Sequence, residues 1–420
     1  MSTTGLAPLT LKDPETIRRP FEAYEFLREQ APVYFDPVAG FYVVSRYDDI
    51  RAALRDTEAL NSEHATEKLR GASDPARDAR IRALFAEKGW PRERPIGNYE
   101  GADHHELRDL FERYLRAGKV RDYDPMVRDI AYGLVDGFAA SGRCEIVSEY
   151  AEQLSVRVIC GLLGAPAEAF PIVKASMAAM VANLGLIMSE DEEVASAEKE
   201  IAAQHYFKAM IDRLRAQPDD SILSAFVNTA LPSGREVTDA QILMHVMLDL
   251  FMAGAETTSK AIASGVLMLC RHPEIWAALK ADPETHLRTF AEEVLRLEGP
   301  ASGLFRVAQK DLEIHGVTIP KGAVVTLRIA AANRDPRHFG CPAQLDLERA
   351  NAATHLSFGA GVHSCVGAPL ARRELYWGFK ALLDRIDDLR LAPGETGEYL
   401  PNMLFRAMDH LNVTFTPSPA

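Results

Sequence analysis

Apolar residues recur every three or four positions through 104–116, 125–139, 146–163, 195–215, 240–270 and 285–297, the spacing that gathers them on one face of a helix. Alternation typical of strands is confined to short runs. Pro32–Phe35 and Phe41–Ser45 flank Asp36–Gly40 and predict a hairpin near the N-terminus. Leu312–Val317 and Ala323–Leu327 flank the turn Pro320-Lys321-Gly322 and predict a second one, with β-branched residues on both arms. Helix punctuation agrees with the periodicity. Asp282-Pro283-Glu284 offers an N-cap, a first-turn proline and an acid at the positive end of the helix dipole, and Gly299-Pro300 stops that helix after Leu297. The segment 62–99, dense in Arg, Glu, Asp and Ala and carrying Trp90, predicts a mobile loop with a short helix. No internal repeat, low-complexity tract or linker divides the chain. The pattern therefore predicts one α+β domain over 1–420, mainly α with small β-sheets, entered through a flexible segment at 1–19.

Composition refines this picture without changing it. The chain has 420 residues, 47% of them hydrophobic, enough to bury a large core. A net charge of −13 disfavours broad attraction to nucleic acid or an anionic membrane. The most apolar stretch, Ile242–Leu269, is interrupted by His245, Asp249, Glu256 and Lys260, so it reads as a buried helix and not a membrane span. The first sixteen residues hold no apolar run long enough for a signal peptide. Five cysteines, at 144, 160, 270, 341 and 365, form no CxxC pair and no zinc-like spacing. That usage fits a reducing compartment, and the expectation is cytoplasm.

The residues from Ser357 to Pro369 carry the strongest chemical signal: Ser-Phe-Gly-Ala-Gly-Val-His-Ser-Cys-Val-Gly-Ala-Pro, followed by a helical run from Leu370. Glycines at 359, 361 and 367 let the backbone take positive φ and approach a flat ligand closely. A helix starting just after Cys365 favours thiolate over thiol. Upstream, Ala253-Gly254-Ala255-Glu256-Thr257-Thr258 interrupts the apolar helix. A mid-helix glycine costs roughly 1 kcal/mol relative to alanine, which points to something bulky beside Gly254. Glu256 and Thr257 supply an acid and an alcohol, the parts of a short proton relay. Glu293 and Arg296 lie three apart and share a helix face.

The pattern FGxGxHxCxG, filled at every fixed position from Phe358 to Gly367, resembles the cysteine loop of cytochromes P450. The resemblance spans about residues 20 to 415 and implies the P450 fold. It implies haem b as cofactor and Cys365 as the proximal ligand that pushes electron density onto iron. Phe358, Gly359 and Gly367 would frame the haem from the cysteine loop, and Ala253 and Gly254 from the oxygen-binding helix, whose AGxET motif would make Glu256 and Thr257 the proton relay. Glu293 and Arg296 match ExxR, with Arg349 as third member of a structural ion network. His104 and Arg108 match the HxxxR pair that binds a haem propionate; Arg306, His355 and His363 occupy further propionate positions. The segment Tyr99–His104 departs from the family's usual Asp-Pro-Pro-Glu-His, which bears on the choice of His104 over His105.

The implied activity is a monooxygenase inserting one atom of O2 into a hydrophobic organic substrate. Leu250, Ala253, Ser302, Gly303, Leu304, Met403, Leu404 and apolar residues between Met177 and Met188 are the pocket candidates. Their lack of charge argues against a strongly anionic substrate. The chain contains no flavin or iron–sulfur motif, so electrons are expected from a ferredoxin and its reductase. Arg113, Arg116, Lys119, Arg372 and Arg373 are candidates for the docking patch. The expected state is a monomer with no nucleic-acid or membrane partner. Two rival readings remain at this point: a haem-thiolate peroxygenase that uses peroxide directly, and a haem sensor without catalysis.

Overall fold

The computed structural model describes residues 9–65, 68, 75–166, 169–184 and 189–418. The chain forms two compact units, one drawn from Met1–Leu69, Glu292–Cys365 and Glu398–Asp409, the other from Arg70–Ala291, Val366–Gly397 and His410–Ala420.

The first unit is built on a five-stranded sheet. Its strands lie in the order Val33–Asp36, Phe41–Val44, Val324–Leu327, Leu304–Ala308, Leu60–Asn61. Phe41–Val44 runs parallel to Val324–Leu327; the other neighbours are antiparallel. Val44, Ile50, Leu327, Ile329 and Phe339 belong to the buried cluster packed with this sheet. The first expected hairpin forms, with Val33 opposite Val44. The second forms in a different register: Leu312–Ile314 pairs with Val317–Ile319. The cause is the turn, since His315 and Gly316 both take positive φ, 51° and 74°. Such a two-residue turn closes a hairpin tightly. The Pro320-Lys321-Gly322 turn instead leads into the larger sheet, where the Gly322 N–H donates to Ala308 O at 2.7 Å. Of the segment 1–19, expected to be flexible, residues 1–8 lie outside the described residues and 9–19 are folded onto the first unit. There Leu11 is buried and its N–H donates to Asp36 Oδ2 at 2.7 Å, while Asp13 caps a short helix, Pro14–Arg18.

The second unit is mostly helical. Its helices include Gly101–Leu115, Asp124–Phe138, Glu152–Leu163, Phe170–Leu184, Glu190–Ala216 and Ala368–Arg385, joined by a sheet ordered Arg143–Glu145, Asn412–Pro417, Ile386–Leu391. The apolar run expected as one helix over 240–270 has three parts: Asp239–Met244 α-helical, His245–Glu256 π-helical and Thr257–Arg271 α-helical. A period of three to four in the sequence does not distinguish these windings, and π-helical turns occur frequently at functional sites.

The segment 62–99 also differs from expectation. It contains a fourteen-residue helix, Pro75–Lys88, fastened to Glu190–Ala216 by charge. Arg77 pairs with Glu193, Arg80 with Glu190, and Lys88 with Glu198, while Arg92 forks onto Glu200 at 2.7 and 2.9 Å. Gln204 accepts the Trp90 N–H and donates to its carbonyl. The charges that suggested a solvated loop are therefore one side of an interhelical ladder. No helix among the described residues is long and apolar enough to cross a membrane.

Candidate active site

As far as Cys365 the cysteine loop belongs to the first unit, and it is shaped by its own backbone. Gly359 and Gly361 take φ of +68° and +75°, the left-handed region where a side chain is strained. At Gly361 a Cβ would also lie 2.7 Å from Leu54 O, so no larger residue fits. The third glycine behaves otherwise. Gly367 has φ −80° and caps the helix Ala368–Arg385, so its role is helix entry and not positive φ. The Cys365 N–H donates to Phe358 O at 2.8 Å and closes the loop.

Cys365 is exposed at the end of this loop, whereas Cys144 and Cys160 are buried and Cys270 is partly so. Burial pushes the Cys160 thiol up to about 11 and that of Cys270 up to about 12, and holds Cys144 protonated as well, with Glu149 adding to the effect there. An accessible thiol on a glycine-shaped loop is the donor chemistry a haem iron requires. The residues present fit the group.

A buried ion network fixes the start of that loop. Glu293 and Arg296 have side chains of 0% exposure and form a two-point fork at 2.5 and 2.8 Å. Arg349 meets Glu293 at 3.1 Å, as the ExxR reading expects. Arg296 donates to the carbonyls of Asn333, Pro342 and Gln344, and Arg349 to those of Gly340, Cys341 and Gln344. The link to the loop runs through a residue whose role the sequence reading missed. Asn333 donates to Ser357 Oγ at 2.8 Å and accepts the Leu356 N–H at 2.7 Å, while Ser357 Oγ donates to Leu295 O. Only its place in Asn333-Arg334-Asp335-Pro336, between the ExxR helix and the cysteine, hinted at it.

His355 lies at the start of the same loop. Its Nδ1 accepts the Ser357 N–H at 3.1 Å, so the proton sits on Nε2, which donates to Glu292 at 3.0 Å. Both ring nitrogens are engaged and the side chain is wholly buried, so His355 braces the loop. Arg306 lies on the strand Leu304–Ala308 and donates to Phe305 O. Among the pocket candidates, the Ser302 N–H donates to Leu404 O at 2.9 Å and Met403 O accepts from Arg328. The structure thus gathers Ser302, Met403 and Leu404. Gly303 sits tightly against the next strand, where a Cβ would meet Leu327 O at 3.0 Å. Leu304 Cδ1 lies 3.9 Å from the position of a Gly359 Cβ, which sets it beside the cysteine loop.

His363 lies in the first unit and the remaining candidates in the second, where 185–188, the end of the Met177–Met188 run, fall outside the described residues. Thr257 Oγ1 donates to Ala253 O at 2.7 Å, and Glu256 pairs with Lys260. Gly254 is crowded by the neighbouring helix: a Cβ there would lie 2.9 Å from Ile159 Cδ1 of Glu152–Leu163. Leu250 is buried in the π-helical stretch. Nearby, Asp249 accepts from the Ile96 N–H at 3.0 Å and pairs with the buried His245 at 2.7 Å, a polar pair the sequence reading passed over as an interruption. His104 is buried on Gly101–Leu115, and Arg108 on the same helix pairs with Glu112 at 2.6 Å. In the basic patch, Arg113 and Arg116 are exposed, but Arg373 is forked onto Asp124 at 2.6 and 2.7 Å and Lys119 pairs with Asp122.

Residues 191–387 match the family model described as Cytochrome P450. The chain is 31% identical over 425 residues to Vitamin D(3) 25-hydroxylase of Pseudonocardia autotrophica, covering 100% of both chains. It is 33% identical over 408 residues to Cytochrome P450 monooxygenase PikC of Streptomyces venezuelae, covering 94% of this chain and 90% of that one. Among solved structures, that of cytochrome P450 CYP109Q5 from Chondromyces apiculatus superposes with a TM-score of 0.83 at 28% identity, over 98% of this chain and 99% of the other. With its cysteine loop and ExxR network in place, the chain belongs to the cytochrome P450 family and is a haem-dependent monooxygenase.

Proposed function

We propose that the protein oxidises a hydrophobic organic substrate with electrons from a separate ferredoxin and its reductase, the whole chain acting as one P450 domain in the cytoplasm. The observation that carries this reading is the accessible Cys365 on its glycine-shaped loop. Haem, when bound, supplies the iron at which dioxygen is activated for insertion into a C–H bond. Cys365, as thiolate, would hold the iron and supply it with electron density. Phe358, Gly359 and Gly367 would frame the group from the cysteine loop. His104, Arg108, Arg306 and His363 would hold its carboxylates, whose burial requires cationic or hydrogen-bonding partners. Glu256 moves protons, and the Thr257 hydroxyl, held by Ala253 O, keeps a fixed direction on the helix.

Leu304, Met403 and Leu404 in the first unit and Leu250 in the second are the apolar candidates for contact with substrate, which favours a neutral hydrophobic one. A relative named for hydroxylating vitamin D(3) supports this. Spin-state titration against neutral terpenoids, steroids and aromatics is expected to find binders; tight binding by carboxylates alone sinks the assignment. For the ferredoxin, Arg113 and Arg116 are the exposed members of the basic patch. Reversing both to Glu is expected to slow reduction by an acidic ferredoxin, most visibly at low salt.

The founding experiment is the carbon monoxide difference spectrum of the dithionite-reduced protein beside Cys365→Ala. A red-shifted Soret band in the wild type, lost in the variant, establishes thiolate ligation. Its absence from folded, haem-loaded wild type removes the assignment.

A further inference from the structure

The π-helical stretch His245–Glu256 turns most of its side chains into the core, Val246, Met247, Leu250, Phe251 and Met252 among them. Asp249, Ala253 and Thr257 follow one another at four-residue steps and are not buried; Ala253 is exposed. Residues at that spacing share one side of a helix, and Thr257 Oγ1 reaches back along it to Ala253 O. Asp249 therefore lies on the side that carries the residues read as facing the reaction. Its side chain is only 9% exposed, and no lysine or arginine among the described residues pairs with it. Both donors that reach it, the Ile96 N–H at 3.0 Å and His245 Nδ1 at 2.7 Å, meet the same oxygen, Oδ2. His245 is itself held, wholly buried with its ring 5.7 Å from that of Phe111 and 6.1 Å from that of Phe226. The carboxylate cannot turn without breaking two hydrogen bonds, so Oδ1 is fixed, and no donor of the described residues meets it. A carboxylate oxygen left unpaired in a largely buried place costs free energy that a donor on a ligand recovers.

We propose that Asp249 is a specificity-determining residue whose Oδ1 accepts a hydrogen bond from a hydroxyl on the substrate, an otherwise hydrophobic molecule. The donors on Oδ2 explain why an acid serves here and an amide does not. With one oxygen filled by two N–H groups, a carboxylate still presents an acceptor, whereas asparagine would present its NH2, a donor. The helix also sets where the hydroxyl lies. Asp249 is one turn from Ala253 and two from Thr257, on the order of 10 Å from the latter at helical rise. The hydroxyl thus sits at the end of the substrate away from the carbon that is oxidised. The same charge disfavours a carboxylate at that end, since like charges brought together are repelled. The inference rests on the reading of the substrate as neutral and hydrophobic, and adds to it one polar group and its position.

Alkylimidazoles test this without knowledge of the substrate, because an imidazole nitrogen binds ferric haem and shifts its Soret band. A series of 1-alkylimidazoles of increasing chain length is titrated into the haem-loaded full chain, beside the ω-hydroxy and ω-methoxy analogues of each. The methoxy group can accept a hydrogen bond but not donate one. At the length that reaches Asp249, the hydroxy compound is expected to bind about tenfold or more tighter than the methoxy one, the worth of a hydrogen bond to a charged acceptor. Asp249→Asn keeps an oxygen for the Ile96 and His245 donors and turns the open position into a donor, so the two analogues are expected to bind within about twofold of each other. The plain alkylimidazole, which needs no partner, is expected to bind both proteins alike and so reports an intact site. Equal affinities for the two analogues at every length in the wild type, or a preference for the hydroxyl that survives Asp249→Asn, overturn the proposal. An ω-amino analogue that far exceeds the hydroxy one, and loses that lead in the variant, overturns the hydroxyl in favour of an ammonium. A Soret shift without preference among the analogues is a failure of this inference alone. No shift with any imidazole is a failure of the active-site reading beneath it.

Discussion

Two acid–base pairs on helices, Glu293 with Arg296 and Glu256 with Lys260, look alike in sequence: an acid with a base three or four residues on. In the structure they have little in common. The first pair is wholly buried and saturated, with Glu293 meeting two arginines and the Asp346 N–H, and Arg296 reaching three carbonyls beside the Phe339 ring. The second joins one acid to one base on the wall of a cavity, with the Lys260 ammonium also donating to the Glu256 carbonyl. A carboxylate whose lone pairs are all occupied by fixed donors cannot exchange a proton without breaking the fold around it. One that faces a single ammonium and water can. The difference between scaffold and chemistry thus lies in how many fixed partners each acid has, not in the pair itself.

The largest test of this contrast is Arg296→Ala. Removing one member of a buried network leaves the other charge uncompensated, a loss of about 3–5 kcal/mol. Urea unfolding is expected to show that loss, with haem retention falling as the loop loses the Asn333 link. A wild-type midpoint would mean that the network is not scaffold.

Glu395 extends the comparison to an acid saturated by backbone. Burial raises its carboxyl, but the N–H groups of Asn412, Gly397 and Thr396 and the Asn412 amide outweigh this and hold it at about 2, below the ordinary 4.5. Because the folded value is depressed, its stabilisation is fully present above 4.5 and is lost as pH falls through 2. Glu395→Gln is therefore expected to cost about 2 kcal/mol at neutral pH. The gap to wild type should close as unfolding is followed from pH 4.5 downward; a gap independent of pH contradicts the account.

Arg92→Ala ranks next. The fork onto Glu200 is half-buried and the guanidinium lies 4.4 Å from the Phe85 ring centroid, so about 1 kcal/mol is expected. Proteolysis between 75 and 95 should accelerate, with little change in the global unfolding midpoint. Unchanged cleavage would show that the ladder does not hold this segment.

What the sequence revealed follows the same division. Cys365, Glu293, Arg296 and Arg349 were legible because fixed spacings carry them, and most helices because their apolar faces repeat. The π-helical winding at His245–Glu256 left no mark on that repeat. The docking of Pro75–Lys88 was hidden because its partners lie about 110 residues away in sequence, where charge reads as solvation. The bracing contacts of His355 were hidden because a histidine's role depends on what meets its two nitrogens, and Glu292 and Ser357 become its neighbours only in the folded unit. The second hairpin slipped register because two turn signals began five residues apart and the stronger, His315-Gly316, was passed over.

Lys260→Met is the smallest change in stability and the sharpest test of the contrast. A partly exposed pair four residues apart on one helix is worth under about 0.5 kcal/mol, and a methionine replaces the aliphatic stem without loss of helix propensity. The unfolding midpoint should therefore scarcely move, while the solvent isotope effect on oxygen consumption rises. That combination cannot come from a structural pair, because a scaffold contact that alters turnover does so through the fold. If Lys260→Met instead costs several kcal/mol, the Glu256 pair belongs with Glu293 and Arg296, and the distinction between a saturated acid and an open one no longer locates the chemistry in this protein.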